Sequence, residues 1–132
     1  MIGVIDVSAA VDVLLEKGKV KLFCKILHEV SPILAPDLYV PELTNTMWKF
    51  YKEKILTKEE CIGFMQKGIK LVDKFIDSKD IWQEAFSAGL TTKHSIYDMF
   101  YMVTARRCGG VLITNDSVLA AVCKKNNVEV CF

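Results

Sequence analysis

Residues 2 to 7 (Ile-Gly-Val-Ile-Asp-Val) form a β-branched, nearly unbroken apolar run. Ser8, a good helix N-cap residue, follows, and then the run AAVDVLLEK. This pattern predicts a strand feeding a helix. The same order returns near the other end. The apolar run Val111–Thr114 (VLIT) precedes Asn115, Asp116 and Ser117, and the helical pattern VLAAVCKK closes at Asn126 and Asn127 before a last strand, VEVCF.

Between these ends the spacing predicts helices at about 20–29, 37–53, 58–67, 80–88 and 95–107, with weaker strands at 33–35 and 70–75. Thr57 to Glu60 has the form of a capping box, Ser78 or Asp80 offers the next helix start, and Gly89 offers its stop. Strands that are apolar without polar alternation, and separated by helices, predict a parallel sheet covered on both faces. No repeat, low-complexity stretch or linker interrupts the chain, so residues 1–132 read as one domain.

Composition narrows the picture. At 132 residues and 52% hydrophobic the chain can bury a core, which excludes a disordered tail or a fibre. Seventeen Lys and Arg face sixteen Asp and Glu, so the net charge of +1 advertises no polyanion partner, and nucleic-acid binding has to be local. Five Cys, an odd number without CxxC spacing, and an acid at position 6 predict a reduced, cytoplasmic protein without a signal peptide. The cysteines read as small hydrophobes. No apolar run approaches the ~20 residues that span a bilayer.

The candidate chemistry is acidic. In an open parallel sheet, ligands gather beyond the carboxyl ends of the strands. Asp6 ends the first strand and Asp116 follows the strand VLIT, so adjacent strands would turn both carboxylates into one crevice. Neither acid has Lys or Arg within four positions, and the plainer reading of each is a helix cap. Asp98 lies in the run IYDMFYMV, which is apolar on all sides. A carboxylate there is protonated, paired across the fold or holding a metal, and His94 is its one nearby partner in sequence. Glu42, after Pro41, opens a polar helix face shared by Asn45 and Lys49, opposite a core stripe of Leu43, Met47, Phe50 and Tyr51. The plainer reading of Glu42 alone is a solvated first-turn acid. Four acids with only oxygen donors suit Mg²⁺ or Mn²⁺, and two His 66 positions apart disfavour zinc. Such a centre lowers the pKa of a bound water and stabilises charge developing on a phosphate.

Four short motifs, in this order, resemble those of PIN-domain proteins, in particular VapC-type toxin ribonucleases. They are VIDVS with Asp6 and Ser8, PELTN with Glu42 and Asn45, HSIYDMFY with His94, Ser95, Tyr97, Asp98 and Tyr101, and LITND with Thr114 and Asp116. The resemblance covers nearly the whole chain. It implies a three-layer α/β/α sandwich with a five-stranded parallel sheet in the order 3-2-1-4-5. It also implies a Mg²⁺ or Mn²⁺ site built by Asp6, Glu42, Asp98 and Asp116, and hydrolysis of RNA phosphodiester bonds. Asp6, Asp98 and Asp116 would ligate metal, Glu42 would orient or deprotonate the attacking water or act as a further ligand, and Ser8, Asn45, Thr114 and Asn115 would hold the carboxylates in place. A homodimer and a cognate antitoxin that covers the site are implied as well. Met99 departs from the small residue that the family usually carries beside the third acid.

Setting the four acids aside leaves twelve negative charges against seventeen positive, a surface that tolerates RNA. Lys17, Lys19, Lys21 and Lys25 form one basic stretch and Lys49, Lys52, Lys54 and Lys58 another; each reads as backbone contact or as a solvated helix face. Trp48, Phe50, Tyr51, Phe64 and Met65 read first as core, with a partner groove as the alternative. Two other functions compete with the nuclease: a catalytically inactive PIN-like module that binds RNA or protein, and a phospho-acceptor receiver domain. The receiver lacks a partner Lys after a later strand.

Overall fold

The computed structural model describes all 132 residues. Five short strands, β1 (Gly3–Ile5), β2 (Ile33–Pro36), β3 (Lys74–Ile76), β4 (Val111–Ile113) and β5 (Glu129–Cys131), form one sheet in the order β3-β2-β1-β4-β5, with every neighbouring pair parallel. The helices are α1 (Val7–Leu14), α2 (Val20–Glu29), α3 (Tyr39–Lys52), α4 (Lys58–Lys70), α5 (Trp82–Thr92), α6 (Ile96–Cys108) and α7 (Ser117–Lys125). Together they make the three-layer α/β/α sandwich of PIN-like topology that the sequence implied. No helix is long and apolar enough to cross a membrane.

The central strands explain the continuous apolar runs. Val4, Ile5, Leu112 and Ile113 are fully buried, each worth roughly 1.5–3 kcal/mol relative to exposure. Across the sheet, α6 packs on β1, β2 and β4, and α5 lies along α6. The reversal of direction at β1, with β2 on one side and β4 on the other, opens the crevice in which parallel sheets bind ligands.

Several local expectations change. Asp6, not Ser8, caps α1: its carboxylate accepts from the Ala9 amide, and Ser8 lies in the first turn. Gly89 does not stop α5, which runs on to Thr92. A Cβ at Gly89 would meet Ile96 Cδ1 at 2.1 Å, so glycine is there to let α6 approach. Neither Ser78 nor Asp80 caps α5; they form a separate 3₁₀ turn. The third strand begins at Lys74 because α4 extends to Lys70. The Thr57–Glu60 capping box forms as expected. Trp48 and Tyr51 leave the core and are more than half exposed, since α3 buries only Tyr39, Leu43 and Met47. They border a groove between α3 and α4. No cysteine is disulfide-bonded, and burial pushes the Cys123 thiol up to about 12.

Candidate functional site

A cavity of about 330 Å³ opens at the carboxyl ends of β1 and β4, and Asp6, Glu42, Asp98 and Asp116 all line it. Ser8, Asn45, Thr46, Lys49 and Tyr101 complete its polar lining. Four chain segments far apart in sequence therefore meet here.

The strand side is built from two adjacent strand ends. The Asp6 amide donates to the Ile113 carbonyl, which places Asp6 beside Thr114. Asp6 Oδ1 accepts from Ser8 Oγ at 2.7 Å and from the Ala9 amide at 3.0 Å, and Oδ2 accepts from the Thr114 hydroxyl. Thr114 Oγ1 in turn accepts from the Asp116 amide at 3.0 Å, and Ser8 Oγ from the Asn115 amide at 2.8 Å. Asp116 Oδ1 caps α7, accepting from Val118 and Leu119. Each hydroxyl thus both donates and accepts, leaving no buried side-chain polar atom unpartnered.

The helix side is held more lightly. Tyr101 on α6 donates to Glu42 Oε1 on α3 at 2.6 Å, and His94 Nε2 lies 3.0 Å from Asp98 Oδ2. Glu42 Oε2, Asp98 Oδ1 and Asp116 Oδ2 take part in no hydrogen bond within the protein. Met99 is fully buried, receives a contact from the Thr92 hydroxyl and leaves Asp98 at the cavity.

The electrostatics follow from burial. Desolvation pushes Asp6 up to about 6 against the pull of its three hydrogen bonds, with the Asp98 charge adding to the rise. Burial also raises Glu42, opposed by the Tyr101 hydroxyl and reinforced by Asp98 and Asp6. Asp98 is raised by burial and then by Asp116, and lowered by His94. Buried against Glu42, the Tyr101 hydroxyl is held far above its usual range. No Lys or Arg forms an ion pair with any of the four acids, since the ion pairs of the molecule are His94–Asp98 and Glu84 with Arg106 and Arg107.

As a donor set, four carboxylates suit a hard dication. Their placement does not: no three Asp, Glu, His or Cys side chains stand close enough together to hold a metal ion. Convergence on one cavity is found, while a ready-made coordination sphere is not.

Two contributors escaped the sequence. Tyr101 was noted only as part of a motif, and its hydroxyl proves to be the fixture of Glu42. Asp12, one turn after Ser8 and buried, accepts from Asn115 Nδ2 at 2.9 Å and from the Lys19 amide at 3.1 Å, tying the β4–α7 connection to α1. An acid on an otherwise apolar helix run was its available signal.

No family model matches the chain. It is 23% identical over 119 residues to ribonuclease VapC3 of Pyrobaculum aerophilum, covering 89% of this chain and 91% of that protein. The likeness to that ribonuclease spans nearly the whole of both chains but is distant. Among solved structures, PAE2754 of Pyrobaculum aerophilum superposes with a TM-score of 0.76 at 19% identity, over 97% of this chain and 81% of that one, a likeness of fold. Together these likenesses support a PIN-like, VapC-like family at low identity.

Proposed function

We propose that this chain works through the acidic cavity as a PIN-like module that binds RNA, and that the side chains as they stand do not constitute a cleaving centre. The observation that carries this reading is the absence of any three ligand side chains placed to share a metal ion. RNA is favoured as the ligand because the VapC-like relative is a ribonuclease, and because Lys49 lines the cavity, where its ammonium suits a phosphate.

A second reading, a Mg²⁺- or Mn²⁺-dependent endoribonuclease of the toxin type, rests on its own observation. Four acids from four segments share one cavity without a Lys or Arg ion pair, and three of them hold protons more tightly than usual. Buried acids in that condition favour a counter-ion. On this reading Asp6, Asp98, Asp116 and Glu42 hold the metal, Ser8, Asn45, Thr114 and Asn115 brace them, and a cognate antitoxin covers the cavity.

Calorimetric titration with Mn²⁺ and with single-stranded RNA, alongside an RNA cleavage assay, separates the two. Saturable RNA binding without metal uptake or cleavage supports the module. Metal uptake with cleavage, both lost in Asp98→Asn, replaces it with the nuclease. Absence of RNA binding in every condition removes both.

A further inference from the structure

Four carboxylates at one cavity repel the phosphates of RNA, so the attraction that holds a strand there has to come largely from side chains outside the acidic lining. A net charge of +1 does not supply it from the molecule as a whole. One surface does so locally. From Leu43 to Lys58 the chain carries four lysines, Lys49, Lys52, Lys54 and Lys58, against a single acid, Glu53, and none of the four is in an ion pair. Within the same stretch Trp48 and Tyr51 stand 53% and 55% exposed on α3.

We propose that the outer surface of α3 is a stacking track for single-stranded RNA, which rests on the RNA-binding reading of the cavity and extends it beyond the acids. Residues three and four apart are neighbours on a helix, so Asn45, Trp48, Lys49 and Lys52 form one contiguous patch. Asn45 and Lys49 line the cavity, and Trp48 and Lys52 therefore adjoin its rim. Further around α3, Trp48 and Tyr51 border the groove toward α4 together with Lys58, and Tyr51 also borders a depression shared with Lys52 and Lys54. A strand leaving the cavity crosses α3, a cylinder about 10–12 Å wide, over Trp48 and on to Tyr51. The Lys52 ammonium lies 4.7 Å from the centroid of the Trp48 ring. Indole and cation thus come as a unit, a flat apolar face for a base and a positive charge for the adjoining phosphate.

Two other surfaces fall short on one ingredient. The stretch Lys17–Lys25 is as basic, but its one ring, Phe23, is fully buried. On α5, Trp82 and Phe86 are exposed, yet the arginine beside Trp82, Arg107, is paired with Glu84, which leaves Lys79 as the one unpaired cation of that depression. A single strand matches both features of the α3 surface at once, because every nucleotide brings a π-face and a negative charge. Recognition of this kind tolerates any base.

Fluorescence anisotropy of a labelled oligouridine, titrated with the full chain in EDTA at several salt concentrations, tests the track. Trp48→Leu is expected to weaken binding about tenfold, with the thermal midpoint unchanged, and Trp48→Phe, which keeps a ring, to retain most of the affinity. Lys52→Gln is expected to lower the slope of log affinity against log salt by about 0.7, the share of one phosphate contact to a single strand. Trp82→Leu is expected to bind as the wild type does. If the wild type binds the RNA and Trp48→Leu binds it as tightly, the track is overturned, RNA binding at the cavity stands, and the α3 face is left to a protein partner. The track is equally overturned if Trp48→Phe is as weak as Trp48→Leu, if Trp82→Leu is as weak, or if Lys52→Gln keeps the full slope. A wild type that binds no RNA removes the reading of the cavity and the track together.

Discussion

On the strand side of the cavity, Asp6 is fixed by three donors and Asp116 by two helix amides, whereas on the helix side Glu42 and Asp98 each hang from a single side-chain partner. The difference separates what the fold requires from what a ligand requires. The strand-side acids complete hydrogen bonds that α1, α7 and the β4 end need in order to form. Those on the helix side are placed by α3 and α6 but satisfy little of the backbone around them. Any gathering of the acids around a cation therefore falls to Glu42 and Asp98, whose loose oxygens can turn without uncapping a helix.

The largest expected effect breaks the strand side by pH. Asp6 is raised from 3.8 to about 6, so its ionisation is less favourable in the folded chain than in the unfolded one. Its stabilising contribution is full below pH 3.8 and is lost as pH rises through about 6, a change of about 3 kcal/mol. Chemical denaturation between pH 3.5 and 7 of wild type and Asp6→Asn measures it. The wild type is expected to lose that much relative to the variant, and parallel curves would remove the assignment. Saturating Mn²⁺ sharpens the same measurement: a flattened wild-type curve supports the nuclease, and an unchanged one the binding module.

Thr114→Val comes next. It deletes a fully buried hydroxyl that serves both Asp6 and the Asp116 amide, and a loss of about 2 kcal/mol in unfolding free energy is expected. Tyr101→Phe strikes the helix side, removing one half-buried bond, and is expected to cost about 1 kcal/mol while raising the Glu42 pKa further, read by NMR titration of its carboxyl carbon. His94→Gln is expected to be the mildest, within about 0.5 kcal/mol, because its pairing with Asp98 is partly open to solvent. Should His94→Gln cost more than Thr114→Val, the contrast between the two sides fails.

Much of this arrangement was legible in the order of residues. Asp6 and Asp116 announce themselves because a carboxylate directly after a buried parallel strand has one crevice to enter, and Asp98 because an acid in an apolar helix needs a partner. What escaped depended on distance in three dimensions. Ser8 and Asp6 both have the chemistry of a cap; Asp6 takes the role, and the bridge that Ser8 makes to Asn115, 107 positions on, has no local signal. Gly89 looks like a helix stop until Ile96 is seen lying on it. Tyr51 has the spacing of a core stripe and Trp48 the apolar bulk of a core residue, but α3 buries only Tyr39, Leu43 and Met47. The Tyr101–Glu42 bond spans 59 positions, and no local pattern encodes it.

Since Asp6 and Asp116 each tether the first turn of a helix, a descendant that had abandoned all chemistry would still be under pressure to keep both letters. Glu42 and Asp98 have no such second employment. In a set of sister chains, positions 42 and 98 are therefore where drift would first betray a silent pocket, while 6 and 116 would go on spelling an enzyme long after the work had stopped.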